Sequence, residues 1–254
     1  MGLEEYRKKR NFKETPEPAG TEKRTRRSAK RPIFVVQKHQ ATALHYDFRL
    51  EIEGVLVSWA VPKGPSLKPA DKRLAIQTED HPMEYANFEG VIPEGQYGAG
   101  TVMVWDKGTY EADGSATEQL AQGELKFVLH GKKLQGGFVL IRTGLKSARA
   151  RSQRSWLLIK RQDEYADPAW NIDRYDWSVL TGRNLEEIAA GVSVRAAQPM
   201  AHRNYSAGLA VTVSMARAAS LKRSASVLVV FSRRPLPLAK PSVVFCWLSA
   251  CSVP

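Results

Sequence analysis

The stretch Leu44-His-Tyr-Asp-Phe-Arg-Leu-Glu-Ile52 alternates polar and apolar residues without a break. Side chains on a strand switch faces at every residue, so this pattern admits a half-buried β-strand and little else. His45, Asp47, Arg49 and Glu51 share one face, and Tyr46, Phe48, Leu50 and Ile52 share the other. The apolar face can pack a core while its reverse presents an imidazole, a carboxylate and a guanidinium. His39 lies six residues upstream of His45, about 20 Å along an extended chain at ~3.3 Å per residue. It can join His45 and Asp47 only if the chain bends at Ala41-Thr42-Ala43.

A lone histidine on such a strand would be ordinary surface. Two histidines and an aspartate form a donor set for zinc, manganese or iron, and three protein ligands leave positions open for water or substrate. Basic and imidazole groups follow at intervals: Lys63, Arg73, and His81 with Tyr85 in Glu79-Asp-His-Pro-Met-Glu-Tyr85. Singly each reads as a solvated surface group. Together they supply cations for non-bridging phosphate oxygens and a titratable imidazole for a leaving group. Arg49 and Arg73 can grip phosphate as a fork, whereas Lys63 acts as a point charge.

Strand-like runs recur at Ile33–Val36, His45–Ile52, Val55–Ala60, Leu74–Gln77, Thr101–Trp105, Glu124–Leu129, Gly137–Arg142 and Trp156–Lys160. Short strands separated by Gly/Pro turns predict a mainly β fold, a barrel or sandwich. Gly90 to Gly100 reads as a turn, since it lacks the Gly-Lys-Ser/Thr ending of a phosphate loop. A short helix is predicted over Leu3 to Phe12 and a helical turn over Asn184–Ala190. Three regions follow: a flexible basic arm (1–31), one globular domain (32–191) and a tail (192–254). The tail holds 8 Lys/Arg and no acidic residue, lacks periodicity, and reads as a non-native or vestigial extension or as a basic DNA tether. Its apolar runs are far short of the ~20 residues a bilayer span needs.

Of the formal charge of +12, residues 1–40 carry 12 Lys/Arg against 5 Asp/Glu, so the central body is close to neutral. A basic arm on a neutral body suits the phosphates of DNA, to which it adds affinity without sequence choice. Both cysteines, Cys246 and Cys251, lie in the tail, which leaves the body without a disulfide framework or a Cys-based zinc site and fits a cytoplasmic setting. The first ten residues have no apolar core of a secretory signal.

Residues from about Glu4 to Gly191 resemble the 3'-phosphoesterase module of bacterial DNA ligase D. The matching stretches are Glu5-Tyr-Arg-Lys-Lys-Arg10, Thr15-Pro-Glu-Pro18, Phe34-Val-Val-Gln-Lys-His39, Leu44–Glu51, Trp59-Ala-Val-Pro-Lys-Gly-Pro65, Thr78–Tyr85, Gly90–Thr101, Trp156–Lys160 and Trp177–Gly182. The resemblance implies a compact β-barrel flanked by short helices. It also implies a manganese-dependent enzyme (or one using a similar divalent metal) that hydrolyses a 3'-phosphate and removes a 3'-terminal ribonucleotide in non-homologous end joining.

Carried over by position, His39, His45 and Asp47 correspond to the metal ligands, and Arg49 and His81 to the pair that engages the scissile phosphate. Lys63, Arg73, Tyr85 and Gln37 fall at supporting positions, and Glu79 at one that orients a neighbour. Arg10 and Glu17 belong to an arm tied to the ribonucleotide step. Asn11 stands where the pattern has an aspartate, and an amide lacks that charge. The implied partners are DNA 3' ends, Ku and a separate ATP-dependent DNA ligase, at the nucleoid and not at a membrane. The chain itself should not join DNA, because the closest match to Lys-x-Asp-Gly is Glu111-Ala-Asp-Gly114, with no lysine. A catalytically silent DNA-binding or scaffold module of the end-joining complex is the alternative. The complete His/His/Asp/Arg/His set weighs against it, since a pure binder has no use for a carboxylate between two ligands.

Overall fold

The computed structural model describes residues 2–20, 31–143 and 154–193. Nine strands form one antiparallel sheet: β1 (Ile33–Gln40), β2 (Leu44–Ile52), β3 (Val55–Val61), β4 (Lys72–Gln77), β5 (Gly90–Ile92), β6 (Gly100–Ala112), β7 (Glu124–His130), β8 (Gln135–Arg142) and β9 (Ser155–Lys160). The hydrogen-bonded order is β1-β2-β3-β4-β9-β8-β7-β6-β5, and β1 also pairs with β6. That last pairing closes eight strands into a barrel, while short β5 flanks β6 at Gly100–Val102. Closure leaves no free edge along the eight strands of the ring.

The inward residues form one aromatic-rich core. Phe34, Phe48, Trp59, Phe127, Phe138 and Trp156 are all buried there. Trp59 meets Trp156 edge-on, with ring centroids 5.9 Å apart. A filled interior means that the barrel holds no lumen for a substrate, so chemistry must sit on its outer wall.

A second, smaller core lies on that outer wall. Val35, Leu56 and Val104 point away from the interior and pack with Tyr6, Tyr85, Ala86 and Val179. Tyr6 comes from helix α1 (Glu4–Lys8), and Tyr85 and Ala86 from a single 3-10 turn, Met83–Asn87. Two further short helices, α2 (Ala116–Gln122) and α3 (Leu185–Ala189), complete the domain. α3 begins with a capping box between Asn184 and Glu187, which satisfies two N-terminal backbone donors.

The expected strands are all present, each of them longer than predicted. β1 runs on to Gln40 and β6 to Ala112, because polar positions at Gln37, His39 and Asp106 hid their extent. β5 lies within a segment read as a turn, and α2 was not anticipated. The helix expected over Leu3 to Phe12 is confined to Glu4–Lys8. The arm expected to be loose is docked over residues 2–20. Tyr6 is fully buried and its hydroxyl donates to the Pro18 carbonyl at 2.6 Å. Burial of a side chain of that size stabilises by about 2 kcal/mol, one contribution among several that hold the arm in place. The remaining readings, on the basic run at 21–30 and the tail from 194 to 254, lie outside the described residues. Among the described residues no helix is long and apolar enough to cross a membrane.

Candidate active site

The β1–β2 hairpin builds the site. The turn at Ala41–Ala43 brings His39 directly opposite His45, and Gln37 opposite Asp47. The bend demanded by the spacing is therefore made. Paired residues share a face, so Gln37, His39, His45, Asp47 and Arg49 all project from the outer wall. The β2–β3 hairpin adds to it. Glu53 and Gly54 both take positive φ (53° and 81°), the two-residue turn geometry that matches strand twist. That turn sets the register in which Ser58 faces Arg49.

His39 Nδ1 lies 3.7 Å from Asp47 Oδ2, and His45 Nε2 lies 3.7 Å from Asp47 Oδ1. One donor atom from each of the three residues falls within 4.8 Å of the others. The other ring nitrogens face carbonyls: His39 Nε2 is 3.0 Å from the Gly98 oxygen and His45 Nδ1 is 2.9 Å from that of Ala43. A carbonyl only accepts, so each of those nitrogens carries the proton. The nitrogens turned toward Asp47 are then the lone-pair ones, the arrangement in which imidazole binds a metal. The trio thus fits a divalent cation on its own hydrogen bonding. Burial works against charge on Asp47, but the Arg49 guanidinium beside it favours the carboxylate, and the carboxyl is held well below the usual range.

Arg49 is almost fully buried and spends its whole fork on the site. Nη2 donates to Asp47 (3.1 Å), Nε to Gln37 Oε1 (2.9 Å) and Nη1 to Ser58 Oγ (2.7 Å). Nη1 also lies 2.9 Å from His81 Nδ1. Gln37 is itself fixed, donating to the Tyr85 and Phe88 carbonyls. Two backbone hydrogen bonds with Leu56 pin His81 to β3. Its ring lies between two guanidiniums, since Arg10 Nη2 is 3.2 Å from Nε2.

Burial first, and then the charges of Arg49 and Arg10, push His81 well below the ordinary histidine value of 6.5. The sign of the consequence is definite. A buried neutral histidine that charges only on unfolding stabilises the fold above pH 6.5, and that stability is lost as pH falls below it. Thermal melts of the protein should therefore drop between pH 7 and pH 5, and His81→Gln should flatten that slope. Identical slopes for both proteins would show that His81 is not held neutral.

The arm closes the far side. Arg10 donates to Glu17 (2.8 Å) and Glu79 (3.1 Å), and its guanidinium lies 3.9 Å from the Tyr6 ring centroid. Glu17 also accepts from the Tyr85 hydroxyl (3.0 Å) and Thr15 (2.9 Å). Lys9 reaches Glu79 at 3.1 Å. Asn11 is exposed, and its carbonyl accepts from the backbone of Glu14 and Thr15.

Ten of the twelve expected residues thus form one connected cluster: Arg10, Glu17, Gln37, His39, His45, Asp47, Arg49, Glu79, His81 and Tyr85. Lys63 and Arg73 stand apart from its hydrogen bonds and ion pairs. Lys63 is exposed in the turn after β3. Arg73 pairs with Asp71 at 2.6 Å, and the strand register puts it on the face of buried Ala75, opposite to that of Asp47, Ala60 and Ile76. Sequence reasoning missed Ser58, Lys9 and Tyr6. Ser58 had a signal, as the one polar residue within the apolar run Val55–Ala60.

Residues 37–142 match the family model of the DNA Ligase D 3'-phosphoesterase domain. The chain is 48% identical over 212 residues to the "Multifunctional non-homologous end joining protein LigD" of Pseudomonas aeruginosa, covering 81% of this chain and 24% of that protein. It is 49% identical over 141 residues to the "Multifunctional non-homologous end joining DNA repair protein LigD" of Mycobacterium tuberculosis, 56% of this chain and 18% of that protein. With the Mycolicibacterium smegmatis relative the identity is 42% over 168 residues, 64% and 21%. The chain therefore spans about a quarter or less of the length of these relatives.

Proposed function

The chain belongs to the DNA ligase D 3'-phosphoesterase domain family, and from that premise we propose that it is a metal-dependent hydrolase that heals DNA 3' ends in non-homologous end joining. The observation that carries this reading is one juxtaposition: the His39–His45–Asp47 trio shares a wall with the buried Arg49–His81 pair. His39, His45 and Asp47 would hold the cation, with manganese the expected ion. Bound there, it would polarise the phosphorus–oxygen bonds and neutralise developing charge.

Arg49 orients the phosphate by offering its donors to two non-bridging oxygens, trading bonds it now makes to neutral Gln37 and Ser58 for charge-assisted ones. Hydrolysis adds water at phosphorus and breaks the bond to the sugar O3', leaving a 3'-hydroxyl and inorganic phosphate. His81, neutral in the free protein, is placed to take up a proton beside an incoming dianion and to return it to O3' as that bond breaks. Lys63 and Arg73 are proposed as outlying cations for the strand backbone. Arg10, Glu17 and Tyr85 are proposed to position the terminal sugar, and Asn11, without its expected charge, to make ribonucleotide removal the weaker activity. Ku and a separate ligase would use the healed end, and this chain would not join DNA itself.

A panel of primer–templates ending in 3'-phosphate, one ribonucleotide or plain DNA, each with magnesium, manganese or zinc, tests the reading. Release of inorganic phosphate from the first substrate with manganese is the expected result. Tight binding to all three ends with no turnover under any metal would favour the silent scaffold.

A further inference from the structure

Resting on the reading above, we propose that Tyr97 is the platform on which the base of the 3'-terminal nucleotide stacks. The loop Pro93–Gly98 reads as a turn in the sequence, and the chemistry above uses only its Gly98 carbonyl. Yet it is built into the site from both sides. The Gly98 carbonyl, one residue from Tyr97, holds the metal-facing histidine His39 at 3.0 Å. The Gln96 side chain donates to Glu14 of the arm at 2.7 Å. Gly95 and Gly98 take positive φ (82° and 77°), which lets the loop turn tightly enough to make both contacts.

Between those anchors Tyr97 is 49% exposed, whereas Tyr6 and Tyr85 on the same wall are buried and Phe12 and Phe88 are partly buried against them. Its neighbours are cations, with Lys9 Nζ 4.8 Å and the Arg10 guanidinium 5.4 Å from the ring centroid. Arg10 in turn touches His81, so the ring is linked to the phosphate side through Arg10 and to the metal side through Gly98. Tyr165 is the other exposed tyrosine among the described residues, and it lies by Gly136 at the β7–β8 turn. A phosphate held by Arg49 and His81 brings its own sugar and base to the rim where Tyr97 stands. A flat ring fixed in a loop accepts any base, because every base has a π-face, and it adds affinity without sequence choice. A repair enzyme that meets ends of every sequence needs that property.

The test measures binding by fluorescence anisotropy to primer–templates whose 3'-phosphate follows either adenosine or an abasic sugar. Wild type should prefer the base-bearing end by about tenfold, the range of one base–aromatic stack. Tyr97→Ala should lose that preference with an unchanged melting temperature, and Tyr97→Phe should keep it. Equal wild-type affinity for both ends, a preference that survives Tyr97→Ala, or one lost equally in Tyr97→Phe would each overturn the proposal. A ring that merely braced the arm would weaken both ends alike on removal, which also counts against it. Phosphate release by the wild type, measured alongside, separates the two failures. Its presence without a Tyr97 effect sinks the platform alone, and its absence sinks the site reading on which the platform rests.

Discussion

Asp47→Asn is expected to abolish 3'-phosphate release, with turnover falling by at least about a thousandfold, the scale of a lost metal ion that supplied several kcal/mol of charge stabilisation. The carboxylate bridges the two histidines, with its two oxygens 3.7 Å from one imidazole nitrogen each. An amide keeps the shape and one acceptor for Arg49. It loses the negative charge and turns donors toward a cation. Two neutral imidazoles alone would leave a weak site. The fold should survive, because Asp47 projects from the outer wall while the core residues Tyr46 and Phe48 face inward. Titration calorimetry with manganese should show lost affinity in a protein that still folds but melts earlier, because buried Arg49 loses its ionic partner. Wild-type metal affinity or wild-type turnover in this variant would end the assignment of the trio.

Arg49→Ala should lower turnover by about 10² to 10³, as does removal of one preorganised donor to a reacting oxyanion, with a smaller loss of DNA affinity. The guanidinium touches Asp47, Gln37, Ser58 and His81 at once, so it couples the metal side to the phosphate side. Arg49→Lys should recover little. An ammonium is a point charge and cannot serve Asp47 and a phosphate through one planar fork. Removing the cation also strips Asp47 of a buried ionic partner, so Arg49→Ala should melt earlier than wild type. Single-turnover rates on saturating DNA separate the roles. An unchanged rate with weakened binding would make Arg49 a docking residue.

Much of this was readable in advance, and the limits have physical causes. The Leu44–Ile52 alternation placed Asp47 and Arg49 on one face, and the six-residue gap from His39 required the bend that β1 and β2 make. Strands carrying polar residues were underestimated. Gln37, His39 and Asp106 break the apolar pattern because they serve the outer wall and a buried turn, where Asp106 accepts from the backbone of Lys132, Lys133 and Leu134. The arm's docking was hidden for a different reason. Its charges suggested solvation, but Arg10 and Glu17 are buried against each other, and no local pattern announces a pair that neutralises itself across a fold. Lys63 and Arg73 show the converse, where suitable residue types did not place a group in the cluster.

What the chain dictated alone is whatever has a period or a short span: which residues share a strand face, where a hairpin must turn, and which types can hold a metal or a phosphate. Strand geometry repeats every two residues, so such facts survive without knowledge of distant partners. Closure of the barrel through β1 and β6, the sealing of the site by the arm, and the neutral state of His81 between Arg10 and Arg49 were decided only in three dimensions. Each depends on groups dozens of residues apart meeting in a medium from which water has been excluded, where the cost of charge is set by neighbours that no local stretch of sequence contains.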